Sequence, residues 1–111
     1  MVWITADVHY AAAHLYDPAQ AAFSDFLPFW EFVAGPLNAV TFGPNELDRT
    51  FGPRVIFPKA TEPGRRNLPP LAGLQSFGEL EVDGTTRALT ARLRDLEGRV
   101  LFERRLEPEV A

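Results

Sequence analysis
The sequence predicts an α/β (α+β) chain that is mostly β, with long loops and a closing antiparallel meander. Three observations carry this. The chain opens on a continuous apolar run, Met1-Val2-Trp3-Ile4, rich in β-branched and aromatic residues, as in a strand buried on both faces. From Leu74 onward, apolar and polar residues alternate around Asp83-Gly84 and Asp95-Leu96-Glu97-Gly98, the pattern of hairpins with one dry face. Between these regions, most of the ten prolines and eight glycines fall from Pro28 to Gly84, which predicts a long, loop-rich middle.

The elements follow in order. Val2–Ala6 is the first strand, and its start at residue 1, without a turn or polar lead-in, raises the expectation that an N-terminal portion precedes it. Asp17-Pro18 is a helix entry, with Asp as cap and Pro in the first turn. A short helix over Ala19–Phe26 is expected, stopped by Pro28. Phe29–Ala34 reads as a second strand, closed by Gly35-Pro36. Leu37–Pro70 is expected to be loop with one extended piece, Arg54–Phe57. Leu74–Val82, Arg87–Arg94 and Arg99–Leu106 form the meander, with Leu89, Ala91 and Leu93 on the dry side of its middle strand and Val100, Phe102 and Leu106 on that of its last. The 111 residues suit a single incomplete domain, divided into a strand-helix-strand part (1–36), a loop-rich part (37–72) and the meander (73–108). Parallel partners for the first strand would need crossover helices that the sequence lacks, so much of the core is expected to lie in sequence outside the chain.

Composition narrows the function classes. Hydrophobic residues make up 46% and charged residues 23%, which argues against disorder. No apolar run reaches the roughly 18 residues of a membrane span. Cysteine is absent, which removes thiolate nucleophiles and disulfides. Residues 1–55 hold six acids against two bases and residues 56–111 hold nine of each. The arginines of the meander alternate with acids and form no basic patch, so a nucleic-acid partner is not expected.

Thr5, Asp7 and His9 are spaced by two, which on a strand places all three on one face, at the strand end where α/β proteins put ligand sites. A carboxylate and an imidazole so placed can bind one metal or two adjacent ones; the plainer reading is a turn cap and a polar strand-end residue. Tyr10 and His14 would share a face if residues 10–17 were helical, where they could touch substrate or a metal ligand, although a structural histidine is the commoner case. Glu31 interrupts an apolar strand, either as a carboxylate supporting a site or as a solvated strand face. Ser24 and Ser76, the only serines, lie in no Gly-x-Ser-x-Gly elbow, and no phosphate-cradling Gly-x-x-x-x-Gly-Lys pattern occurs.

Several stretches taken together carry a resemblance. These are Thr5-Ala6-Asp7-Val8-His9-Tyr10, Ala13-His14-Leu15-Tyr16-Asp17-Pro18, Pro28-Phe29-Trp30-Glu31-Phe32-Val33 with Gly35-Pro36-Leu37-Asn38-Ala39, and Thr41-Phe42-Gly43-Pro44-Asn45 with Thr50-Phe51-Gly52-Pro53. In order and spacing they resemble the C-terminal region of PhoD-like alkaline phosphatases, secreted members of the calcineurin-like metallophosphoesterase superfamily. The resemblance implies the C-terminal part of a two-sheet sandwich flanked by helices, with a multi-metal site at the strand ends. It implies that Ala6-Asp7-Val8-His9 stands in the place of the superfamily's last metal motif, making His9 the first ligand candidate and Asp7 the next. The implied metals are iron and calcium, the implied substrates phosphoric mono- and diesters, and the implied parent compartment periplasmic or extracellular. Val40 departs from the family's usual Gly, and the family's other ligand motifs lie upstream of the matching region. The expectation is therefore a chain that completes its site only within a longer parent enzyme, is inactive alone, and exposes sticky apolar edges that favour non-specific oligomers. The competing expectations are a free-standing, non-enzymatic β-rich binding module with a remnant site, and a small enzyme that completes its site by oligomerising around His9.

Overall fold
In the computed structural model, which describes residues 1–109, the strands are β1 (Val2–Thr5), β2 (Ala11–Tyr16), β3 (Phe29–Val33), β4 (Pro53–Lys59), β5 (Phe77–Val82), β6 (Leu89–Arg94) and β7 (Val100–Leu106). The first four form one sheet in the order β1-β3-β2-β4, and the last three form a second, antiparallel sheet in the order β5-β6-β7. The two sheets face each other across a core of Ala13, Trp30, Phe32 and Ala91, with Val2, Leu15, Phe57, Phe102 and Leu106 packed around it. The smallest dimension of the molecule is 17 Å, which fits two sheets about 10 Å apart and no third layer. No helix is long and apolar enough to cross a membrane among the described residues.

The meander forms where the alternation predicts it. Ala91 and Leu93 of β6 are almost wholly buried, while Arg92 on the other face pairs with Glu79 at 2.8 Å and Glu103 at 2.6 Å on the flanking strands. Val100 is the exception on the dry side and stands exposed, at the register shift between Leu93 and Arg94. The turn after β5 is longer than an Asp-Gly hairpin requires. Asp83 Oδ1 accepts the Thr85 and Thr86 amides at 2.8 and 2.7 Å, so the carboxylate shapes the turn and the glycine does not.

Three expectations for the first half are corrected. First, β1 is an edge strand rather than one buried on both faces: Trp3 is 40% and Ile4 60% exposed. Its parallel neighbour needs no helical crossover. The chain leaves β1, crosses the end of β3, runs back as β2, and then returns as β3 between them, so β1 and β3 pair in parallel from Val2↔Trp30 to Thr5↔Val33. Second, residues 11–16 are not helical. Ala11, Ala12 and Ala13 are fully buried in the middle of the sheet, where two flanking strands supply partners that override alanine's helical preference. Third, the expected helix over 19–26 reduces to a 3-10 turn at Pro18–Gln20. Asp17 caps it, accepting the Ala19 amide at 2.9 Å, but the chain then bonds to a neighbouring turn, with the Ala22 and Phe23 amides donating to Arg49 and Thr50 carbonyls. Gly52 permits that docking. It has φ +56, and a Cβ there would lie 2.6 Å from the Asp17 carbonyl oxygen. The extended piece expected over Arg54–Phe57 is the longer β4, which completes the sheet beside β2 with a bulge between Ala13 and His14.

Candidate functional site
The link between β1 and β2 must span the width of β3 in the five residues Ala6–Tyr10. Two strand spacings amount to roughly 10 Å, and this short path bends through the left-handed region at Asp7 (φ 76) and His9 (φ 59). Aspartate tolerates that conformation better than most residues, and unusual backbone of this kind clusters at functional positions. Asp7 and His9 are thus not side chains of a regular strand sharing a face with Thr5, as spacing by two suggests. β1 ends at Thr5, and the crossing turn orients both.

The turn is held on three sides. The Phe42 amide donates to the His9 carbonyl at 3.4 Å, and the Phe42 ring stacks on the imidazole with centroids 4.7 Å apart. His9 Nδ1 lies 2.6 Å from the Val40 carbonyl oxygen. A carbonyl can only accept, so Nδ1 carries the proton and, in the neutral ring, Nε2 keeps a bare lone pair. Backbone carbonyls orient metal-ligating histidines in this way. Tyr10, next in sequence, turns inward against Ala12, Val33, Val8 and Ala60. Gly43, at φ +100, lies beneath its ring, where a Cβ would come within 2.5 Å of Tyr10 Cδ1.

Asp7 and His9 line one cleft of about 320 Å³, whose other walls include Gly35, Pro36, Ser76 and Phe77. Ser76 fastens those walls: its hydroxyl bonds the Gly35 amide and carbonyl, each at 3.2 Å, and its amide donates to Pro36 at 3.0 Å. The Asp7–His9 turn therefore sits over the junction of the two sheets. A larger cleft of about 660 Å³ is lined in part by Phe42 and contains neither residue.

His14 and Glu31 come together away from that turn. They are cross-strand neighbours on β2 and β3, with His14 Nδ1 3.0 Å from Glu31 Oε2. Tyr16 donates to the same oxygen at 2.7 Å, and Thr5 donates to Oε1 at 2.8 Å. The hydrogen bond from His14 contributes most to holding the Glu31 carboxyl down at about 2, against the opposing effect of burial, and those from Tyr16 and Thr5 add to it. Burial and the adjacent carboxylate push the Tyr16 phenol above its ordinary value. Among the described residues neither His14 nor Glu31 bonds to Asp7 or His9, yet Glu31 fixes Thr5, the last residue before the turn. Tyr16 was missed by sequence reasoning. Reading residues 11–16 as a strand would have exposed it, because Ala12, His14 and Tyr16 then share a face.

A family model described as PhoD-like phosphatase matches residues 1–93, from β1 to the penultimate residue of β6. The chain belongs to the PhoD-like phosphatase family. Its general function is thereby that of a phosphatase, a hydrolase acting on phosphate esters in a family that is generally metal-dependent. The chain matches no curated protein and no solved structure. Among its described residues, no group of three or more His, Cys, Asp or Glu side chains could hold a metal ion. The crossing turn carries an exposed carboxylate, Asp7, and a half-buried imidazole, His9.

Proposed function
We propose that Asp7 and His9 are the Asp-x-His metal-ligand pair of a metal-dependent phosphoric mono- and diester hydrolase of the alkaline phosphatase type. The observation that carries this is the 2.6 Å contact of His9 Nδ1 with the Val40 carbonyl, which leaves Nε2 of the neutral ring as a metal-donor atom, on a residue that lines one cleft with Asp7. The imidazole suits iron, and the carboxylate suits iron or calcium, in keeping with the metals of the family. Bound there, such ions supply polarisation of a phosphoryl oxygen, a hydroxide-like nucleophile and neutralisation of charge on the phosphoryl group.

The chain's own residues do the positioning. Val40 and Phe42 hold the ring in plane and tautomer, the left-handed backbone turns Asp7 toward the same cleft, and the Glu31 network anchors Thr5 beneath them. Two ligands leave most of a metal's coordination sphere to other donors, and groups that act as a unit lose nearly all their rate enhancement when most are missing. The 111-residue chain alone is therefore expected to hydrolyse a chromogenic phosphodiester at the background rate. The test is equilibrium dialysis against Mn²⁺. The full chain should bind it, and His9→Ala and Asp7→Ala should each weaken binding about tenfold or more, the usual range for loss of a ligand or its support. Binding that is indifferent to both substitutions would reject the assignment.

A further inference from the structure
Two arginines, Arg65 and Arg66, line the 660 Å³ cleft at Phe42 together with Asn45 and Asn67. Its walls are built. One is the 41–45 segment and the other the 61–68 segment. They are tied by a reciprocal pair of backbone bonds between Thr41 and Leu68, at 2.9 and 3.2 Å, and by the Thr61 hydroxyl donating to the Gly43 carbonyl at 2.8 Å. Gly64 (φ +83) and Asn67 (φ 54) bracket the arginines in left-handed conformations.

The cleft gathers two positive charges in an acidic molecule. The chain carries a formal charge of −4, and Arg54, Arg92, Arg94, Arg99 and Arg105 all lie within salt-bridge distance of acids. Arg65 and Arg66, like Arg49, Arg87 and Arg104, enter no ion pair among the described residues, but they alone adjoin one another in a cleft. A pair of guanidinium groups with two amides, and no carboxylate in the lining, matches the oxygens of a phosphoryl group. The position matters equally, because Phe42 both lines this cleft and stacks on His9.

We propose that the Arg65–Arg66 cleft is an anion subsite that receives a second phosphoryl group of the substrate. Resting on the reading of Asp7 and His9 above, it selects phosphate esters whose alcohol portion carries a further phosphate, bound in the cleft at Phe42.

The experiment is an amide NMR titration of the full chain, stripped of metal on a chelating resin, with inorganic phosphate at low salt. Saturable shifts are expected at Asn45 and Gly64–Asn67, weakening with ionic strength because the cleft is exposed. Arg65→Gln/Arg66→Gln should weaken binding about tenfold or more. Arg66→Lys, which keeps the charge but loses the planar fork, should weaken it about threefold, and serves if the double variant does not fold. Arg49→Ala, an exposed arginine outside the cleft, should change nothing. His9→Ala should leave phosphate binding intact while weakening Mn²⁺ binding about tenfold or more, so the two readings fail independently. Shifts that rise linearly at every arginine, that ignore the Arg65 and Arg66 substitutions, or that are confined to Asp7–His9 would overturn the subsite.

Discussion
Glu31 is tightly held, with two donors on one oxygen and a third on the other. Its carboxyl titrates near 2 instead of an ordinary 4.5. The stability it contributes is therefore complete above about pH 4.5 and is lost as pH falls toward 2. The contribution is on the order of 1–3 kcal/mol once solvent screening is allowed for. Urea denaturation between pH 2 and 5 should show that decline, and Glu31→Gln should flatten it while lowering stability at pH 7. A decline of equal size in Glu31→Gln would contradict the assignment. Tyr16 sets the opposite limit: its raised pKa contributes stability that is present below its ordinary 10.0 and lost as pH rises beyond it. The residue types here were legible in part. His14 and Glu31 stood out as polar residues in apolar surroundings, but their contact depends on the Ala13↔Phe32 and His14↔Glu31 register, which one sequence does not disclose.

At the level of elements, legibility followed the regularity of the pattern. Alternation over β5, β6 and β7 reported the second sheet directly, because a strand with one wet face must alternate. β2 was obscured because Ala11-Ala12-Ala13 favours helix locally, and only flanking strands make small residues the right fill for a crowded sheet centre. Asp7 and His9 stood out in the sequence by residue type but not by geometry. Their spacing suggested a strand, whereas the short crossing of β3 puts them in a turn. That turn leans on the segment carrying Gly43, so Gly43→Ala should cost about 2–4 kcal/mol by urea denaturation, combining overpacking against Tyr10 with a left-handed alanine. In the meander, Leu93→Ala should cost about 2–5 kcal/mol, since Leu93 is wholly buried. A loss below 1 kcal/mol at both positions would mean that these contacts do not hold the sheets together.

For the whole molecule, two thin sheets pack around Trp30 and Phe32, and the β1 edge carries exposed Met1, Trp3 and Ile4 beside a second sheet exposing Leu80 and Val82. Open apolar edges template further pairing. Sedimentation velocity should show association rising with concentration, and Ile4→Lys should suppress it; a monomer at every concentration would contradict this. The β1 edge delivers Asp7 and His9 to one cleft, which we propose as the metal site of this PhoD-like chain. The most direct test of that claim is paramagnetic mapping of the full chain with substoichiometric Mn²⁺. Signals of Asp7, His9 and the adjoining Ala6 and Val8 should broaden first, with His14 and the acidic meander face unaffected. Broadening that begins at Glu79, Glu81 and Glu103, and persists in His9→Ala, would show that the crossing turn is not the metal site.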